Sequence, residues 1–345
     1  VKKSTSIFDR VVYAINVLFA LLLIVTGLIS YVPLQFFAAI SVLSLVVPFL
    51  FALNALFFLY WAVQLKRKFV LSLLAMVLGY WMFGPFYGFD KSESYQKTAS
   101  DLKIMSYNVW GFNKNGWMPE TGMGDSIIEL VKKANPDILC IQEHSRLRNK
   151  QLQQYPYRSE TPRSERRATQ AIFSKYPIIG SGSLELPTTQ NNIIYADILF
   201  QEDTIRVYNL HLQSFKLKPS ADNFTDGEES ERTYKRLVAT FSKQLEQAEI
   251  FREHFNKSPY INMVCGDFNN TQFSNIYKIV KGDLQDSFME KGKAWGRTYN
   301  FVKLPLRIDY ILADENFEVL SHQNFDQHLS DHYPVMATLR LTSHQ

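Results

Sequence analysis

From residue 11 to residue 89 the only charged side chains are Lys66, Arg67 and Lys68. A helical layer facing water needs a polar outer face, and this stretch has almost none, so its natural solvent is the hydrocarbon of a bilayer. Residues 11–31 are nearly all apolar and long enough to span as a helix, which takes about 20 residues. A cleaved signal peptide would have a shorter apolar run and a small-residue cleavage site. More membrane-like sequence follows here, so an anchor is expected. Residues 32–46 are interrupted by Pro33 and followed by Pro48, and their first part reads as a short interfacial or re-entrant piece. Residues 47–65 form a second expected span, with Asn54 turned toward another helix. Residues 69–86 form a third, ending in an aromatic belt of Tyr80, Trp81, Phe83, Phe86 and Tyr87.

Charge placement sets the expected orientation. Lys2, Lys3 and Arg10 flank the first span, and the basic triplet separates the second from the third. Basic residues flanking spans stay on the cytoplasmic side. Both clusters lie there only if an even number of spans separates them, which agrees with two. Three spans then carry residue 90 onward to the opposite side, which in a bacterial inner membrane is the non-cytoplasmic one. Six cations against Asp9 and Asp90 give residues 1–90 a formal charge of +4, equal to that of the whole chain. Residues 91–345 are therefore neutral overall and exert no general pull on nucleic-acid phosphates. The expected division is an anchor over 1–90, a linker over 91–101 and a folded region over 102–345.

In that region the pattern is mixed α/β. Strands are expected near residues 102–109, 137–142, 171–174, 193–200, 204–212, 260–265, 297–301, 307–312 and 335–341. Helices are expected through Ala134 with Asp125 as N-cap, over 232–255, and over 275–280. Residues 216–231 read as a polar, irregular insertion. Many short strands with a few helices imply two sheets packed face to face with helices outside. Cys140 and Cys265 sit in apolar runs and read as buried free thiols.

The strands share a manner of ending. Ile104-Met105-Ser106-Tyr107 runs into Asn108, Ile138-Leu139-Cys140-Ile141-Gln142 into Glu143, and Val207-Tyr208-Asn209-Leu210 into His211. Val264-Cys265-Gly266 runs into Asp267 and Asn269, which point to the same side of an extended chain. Arg307-Ile308 leads to Asp309, and Ser330 leads to Asp331-His332 before Tyr333-Pro334-Val335. One such ending is an ordinary cap or turn. Six of them, each carrying a metal- or phosphate-competent group, point to a shared site.

These motifs, in this order, resemble the endonuclease/exonuclease/phosphatase superfamily, the group of DNase I, sphingomyelinases and inositol polyphosphate 5-phosphatases. They are Ser106-Tyr107-Asn108-Val109-Trp110, Ile141-Gln142-Glu143, Asn209-Leu210-His211-Leu212, Gly266-Asp267-Phe268-Asn269, Arg307-Ile308-Asp309-Tyr310 and Ser330-Asp331-His332. The resemblance covers residues 102–341 and implies a four-layer αββα sandwich behind the transmembrane helices, with the site at one edge. The layout is similar to that of membrane-anchored bacterial members.

The resemblance also suggests roles, which chemistry supports. Glu143 is the expected Mg²⁺ ligand, with Mn²⁺ as the alternative ion and Asn108 helping to place metal or phosphate. Asp267 would orient and activate the attacking water. Asn269 and His211 would donate to phosphoryl oxygens. His332 would act as base or cation beside the phosphate, with Asp331 as its orienting partner or as a metal ligand. Asp309 would support the site and assist the leaving group. In-line attack on phosphorus needs mostly positioning and charge neutralisation.

Other residues read more plainly. His144 has no such company and reads as a surface residue. Arg146, Arg148, Lys150, Arg158, Arg163, Arg166 and Arg167 form either a solvated loop face or a contact for an anionic substrate. Gln170 departs from the family pattern by placing a polar side chain in a small-apolar run, which bears on the shape of the groove. The expected activity is hydrolysis of a phosphate ester at a membrane, with a lipid headgroup favoured as substrate. Trp110, Phe112 and Trp117 are aromatics that would enter the lipid interface. The alternatives are a membrane-tethered nuclease and, further off, a non-catalytic membrane scaffold.

Overall fold

The computed structural model describes residues 6–31, 38–89, 98–163, 168–216, 227–301 and 304–342. Lys2, Lys3, Pro33, Arg166, Arg167, most of the linker and residues 217–226 of the insertion lie outside the described residues. Helix α1 (Ile7–Ile29) is capped by Ser6, whose side chain accepts from the Phe8 amide. A helical turn at Ala38–Ser41 and a 3-10 turn at Val42–Val46 run directly into α2 (Val47–Val63). The helical run Ala39–Val63 is 25 residues long. Residues 38–46 thus continue into the second apolar helix, while residues 32–37, the first part of the piece read as interfacial or re-entrant, lie outside the described residues. Pro48 sits in the first turn of α2, where its missing N–H has no bond to lose. The third helix, α3 (Phe69–Phe83), stops at Gly84 in a left-handed conformation.

Among the described residues two helices are long and apolar enough to cross a bilayer, where about three spans were expected. The 15 residues of α3 extend about 22 Å, short of a hydrocarbon core of about 30 Å. One buried polar knot ties the three helices together. Asn16 of α1 donates to Ser72 Oγ of α3 at 2.7 Å and accepts from the Trp61 indole of α2 at 3.0 Å. Asn54 of α2 donates to the Phe19 carbonyl of α1 at 3.2 Å. At one end of the bundle Lys66 Nζ pairs with Asp9 Oδ2 at 2.5 Å, so the basic triplet lies beside the start of α1. At the other end the Tyr31 hydroxyl donates to the Met82 carbonyl at 2.9 Å.

The second region runs β1 (Asp101–Asn108), α4 (Met123–Ala134), β2 (Ile138–Gln142), β3 (Tyr157–Glu160), β4 (Ala171–Ser174), β5 (Ile178–Leu184), β6 (Asn192–Phe200) and β7 (Asp203–His211). It continues with α5 (Gly227–Asn256), β8 (Ile261–Asp267), α6 (Asn275–Lys281), β9 (Gln285–Asp286), α7 (Ser287–Lys291), β10 (Tyr299–Phe301), β11 (Leu304–Leu306), β12 (Asp309–Ala313), β13 (Phe317–Asn324) and β14 (Val335–Leu341). Two six-stranded sheets result, ordered β13-β14-β1-β2-β4-β3 and β5-β6-β7-β8-β12-β9.

Alternation along the strands builds the layers. Ile104, Cys140 and Ile172 of the first sheet meet Ala196, Val207, Cys265 and Ile311 of the second. The opposite faces pack under helices: Tyr107 and Leu139 under α4, Tyr208 and Val264 under α5 and α6. The outcome is the expected αββα sandwich, with both cysteines free and buried. Helix α4 starts two residues before Asp125, after a left-handed Gly122. Asp125 is therefore a first-turn residue paired with Arg148, not the N-cap.

Each sheet has a parallel pair at its centre, β1–β2 and β7–β8. Parallel strands finish at the same edge, so Asn108 registers with Gln142, and His211 with Asp267. Strand β12 runs antiparallel to β8, which brings its first residue, Asp309, opposite Asp267. Strand β14 runs antiparallel to β1, and His332 lies just before its start. The topology thereby delivers all these groups to one edge of the sandwich.

Candidate active site

At that edge Asn108 reaches from the first sheet to the second. Its Nδ2 lies 3.1 Å from Asp267 Oδ2 and 3.4 Å from Glu143 Oε1. Asp267 is further held by the Asn269 amide at 2.7 Å and by Asn269 Nδ2 at 3.1 Å. His211 Nε2 stands 3.8 Å from both Glu143 Oε1 and Asp267 Oδ2. On the far side of Asp267, His332 Nε2 lies at 3.6 Å. His332 Nδ1 is hydrogen-bonded to Asp309 Oδ2 at 2.9 Å. Thr298 Oγ1 accepts from the Ile308 and Asp309 amides at 2.9 and 3.1 Å, which fixes the start of β12.

Backbone strain collects at this edge. Glu143 and Asn269 are left-handed, with φ of 52° and 50°, a state that costs non-glycine residues about 1–2 kcal/mol each. Gly266 has φ of 140°, and a Cβ there would meet the Leu210 carbonyl at 2.0 Å. Only glycine lets the ends of β7 and β8 approach this closely.

Electrostatics follow from burial. Burial pushes the Asp267 carboxyl up to about 6, with His332 and His211 opposing and Asp309 adding to the rise. Burial alone would lower His332, but Asp309 and Asp267 outweigh it and hold the imidazolium well above its ordinary value. Among the described residues no lysine or arginine pairs with Glu143, Asp267, Asp309 or Asp331.

The profile of the endonuclease/exonuclease/phosphatase family matches residues 105–332, which hold every residue of this edge. The chain belongs to that family. It is accordingly a metal-dependent phosphoric ester hydrolase. A domain of unknown function (DUF8431) matches residues 9–86. No curated protein matches. Solved structures with a similar fold include a humanized TDP2 from D. rerio, at 18% identity and a TM-score of 0.54, covering 70% of this chain and 99% of that one. A family protein from Bacteroides thetaiotaomicron matches at 18% identity and a TM-score of 0.52, covering 72% and 99%. The catalytic domain of human nocturnin matches at 15% identity and a TM-score of 0.51, covering 73% and 97%. At these identities the likeness shows the shared sandwich.

Enzymes of the family use divalent metals, and the donor set at this edge fits one. Four carboxylates converge without a lysine or arginine to balance them, and carboxylate oxygens suit a hard cation. Ligand atoms of Asp267, Asp309 and His332 lie within 4.8 Å of one another. All three are already engaged, Asp309 with His332 and Asp267 with Asn108 and Asn269, whereas among the described residues Glu143 accepts only the long contact from Asn108 and is partly exposed. Glu143 therefore has the more available oxygens.

Several expectations are corrected by the tertiary structure. His332 is oriented by Asp309, not by Asp331. Asp331 lies in a bend before β14 and accepts from Ser330 Oγ at 3.1 Å. Burial raises the Asp331 carboxyl, and the nearby Glu143 adds to the rise. His144 is buried, not a surface residue: it bonds Asn149 at 2.7 Å and packs edge-on against Phe112 and Phe173. Burial lowers it to about 4. Phe112 is core, while Trp110 and Trp117 stack at 4.6 Å beside the site, with Trp117 exposed. Arg146 is tied to Glu160 at the end of β3, and Arg148 to Asp125 in the first turn of α4.

Beneath the site lies a buried polar clamp whose role the motifs did not reveal. Asn209 Nδ2 donates to the Ile141 and Ala171 carbonyls, both at 3.0 Å, and so joins the two sheets. Its Oδ1 accepts from Gln142 at 2.7 Å, and its carbonyl accepts from Gln170 at 2.9 Å. Gln170 is thus a clamp residue and does not shape an open groove. The available signal was its polarity inside an apolar strand. Thr298 carried no signal in the sequence.

Proposed function

We propose that this hydrolase is membrane-anchored and opens a phosphate ester in a lipid headgroup, with its catalytic region on the non-cytoplasmic side of a bacterial inner membrane. The observation that carries this reading is a contact. Gln272, three residues beyond Asn269, donates to the carbonyls of Phe83 and Pro85 at the end of α3, both at 3.1 Å. Three residues of chain reach about 10 Å at most, so the catalytic edge is held beside the end of the helical bundle. Phe273 packs edge-on against Phe83 at 5.4 Å, and Gly88 pairs with Ala294. Residues 1–90 act as the anchor, and 102–345 form the catalytic domain beyond the linker. The basic triplet sits at the opposite end of the bundle, beside Asp9, which supports a cytoplasmic N-terminus. A periplasmic reporter fused after Gln345 should be active; an inactive one would reverse the orientation.

Glu143, with Asn108 beside it, would hold Mg²⁺ or Mn²⁺, which supplies charge neutralisation on the phosphate oxygens. Asp267 takes the proton of the attacking water. Its raised pKa suits that task at neutral pH. Asn269 orients Asp267 through backbone and side chain, and releases its amide to a phosphoryl oxygen as substrate arrives. The His332 imidazolium stabilises the phosphoryl oxygens from the other side, held in place by Asp309. His211 donates Nε2 to a non-bridging oxygen.

The test compares the full-length protein on phospholipid vesicles and on plasmid DNA, with Mg²⁺ and with EDTA. Metal-dependent vesicle hydrolysis that is lost in His332→Ala is expected. DNA cleavage with inert vesicles would make the chain a membrane-tethered nuclease. Inactivity on every phosphate ester would leave a scaffold.

A further inference from the structure

A cavity of about 780 Å³ opens where the helical bundle meets the sandwich, within the size range of ligand pockets, roughly 300–1,000 Å³. None of the catalytic carboxylates or histidines lines it. Tyr31, Met82 and Phe83, from the ends of α1 and α3, form an apolar wall together with Met289 of α7. The sandwich supplies cations: Lys278 and Lys281 from α6 and Arg252 from α5. Glu249 is the one carboxylate in the lining.

Two of these cations are poorly compensated. Lys278 Nζ has Ser30 Oγ at 2.6 Å and the Tyr31 ring at 3.2 Å, both neutral. Burial lowers its ammonium to about 7. Arg252 Nη1 is buried with no hydrogen-bond partner among the described residues. Burial also lowers the Arg252 guanidinium, with Asp283 opposing. Buried donors of this kind call for an acceptor.

The depth of the wall narrows the choice of acceptor. Ser30 caps the end of α1 and Gly84 the end of α3, where acyl chains give way to headgroups if the helices cross a bilayer as proposed above. A ligand there meets an apolar wall on one side and cations on the other. We infer that the cavity binds one anionic phospholipid as a structural ligand. Its phosphate lies among Lys278, Lys281 and Arg252, and an acyl chain lies along Tyr31, Met82, Phe83 and Met289. The inference rests on the membrane reading of the bundle and adds a lipid site separate from the catalytic edge.

The test uses full-length Glu143→Gln protein in neutral detergent with EDTA, so that turnover plays no part. Thermal unfolding is followed with phosphatidylglycerol, phosphatidylcholine or inorganic phosphate added. Phosphatidylglycerol at about a hundredfold excess over Kd should raise the midpoint by about 4 °C, with phosphatidylcholine and phosphate well below that. Lys278→Gln combined with Lys281→Gln should remove most of the shift, and so should Ile279→Trp, which adds bulk to the cavity lining and keeps the cations. Equal shifts from both lipids, an equal shift from inorganic phosphate, or a shift that survives both variants would overturn the site. None of these results bears on hydrolysis by the wild type, which the vesicle assay reads separately.

Discussion

The helical bundle and the catalytic edge both bury polar side chains, and they treat them in opposite ways. In the bundle Asn16, Trp61 and Ser72 are neutral and use one another up, and Asn54 Oδ1 is the one buried side-chain atom there left without a partner among the described residues. At the catalytic edge the buried groups are ionisable and are left with spare capacity. Among the described residues His211 Nδ1 and Asp309 Oδ1 have no partner, and Asp267 is pushed up to about 6 by burial. A satisfied polar knot fixes helix packing; an incompletely satisfied one is poised for a ligand. The strained backbone at Glu143 and Asn269 belongs with the second kind.

That contrast makes its strongest claim at the catalytic edge. Glu143→Gln and His332→Ala should each lower kcat by about 10²- to 10⁴-fold; the first should leave the unfolding midpoint alone, because Glu143 is partly exposed beyond the end of β2, whereas the second takes the partner from buried Asp309 and should lower it far less than in proportion to the activity. Loss of folding in step with activity would turn these groups into packing elements like those of the bundle.

Asp309→Asn should cost less and show in the pH profile. With the carboxylate gone, burial is no longer outweighed and the His332 pKa falls. A step that needs the imidazolium is lost as pH rises through that pKa, so the alkaline limb of kcat should move to lower pH. An unmoved limb would remove His332 as the titrating cation.

Gln272→Leu probes the seam between the regions. It deletes the bonds to the Phe83 and Pro85 carbonyls and leaves Arg307 Nη2, now 2.6 Å from Gln272 Oε1, without that acceptor. The expected loss is about 1–3 kcal/mol in unfolding free energy, with a several-fold fall in kcat because the Asn269 loop leads directly into this contact. An unchanged kcat would uncouple bundle from site.

The smallest effect belongs to the bundle. Asn16→Leu should cost about 0.6–2 kcal/mol in detergent unfolding and leave kcat alone. A fall in kcat would make the helical knot part of the catalytic machinery.

Much of this was legible in the chain. Apolar runs declare membrane-compatible helices, and strands that end in Asn108, Glu143, His211 and Asp267 declare a site, because periodicity and side-chain chemistry are local properties. The six motifs mark the family for the same reason: each is short and contiguous. Pairing is not local. Asp309 holds His332, 23 residues away in sequence, because the start of β12 and the approach to β14 meet at one edge of the two sheets, while the adjacent Asp331 turns to Ser330. His144 is buried because the loops around it fold over it, and Asn209 becomes a clamp because two sheets meet there. The seating of Gln272 on the end of α3 joins residues nearly 190 positions apart. Residue type and spacing can nominate the groups. Which of them touch depends on strand order and on how the layers close, and those are set by the packing of the whole chain.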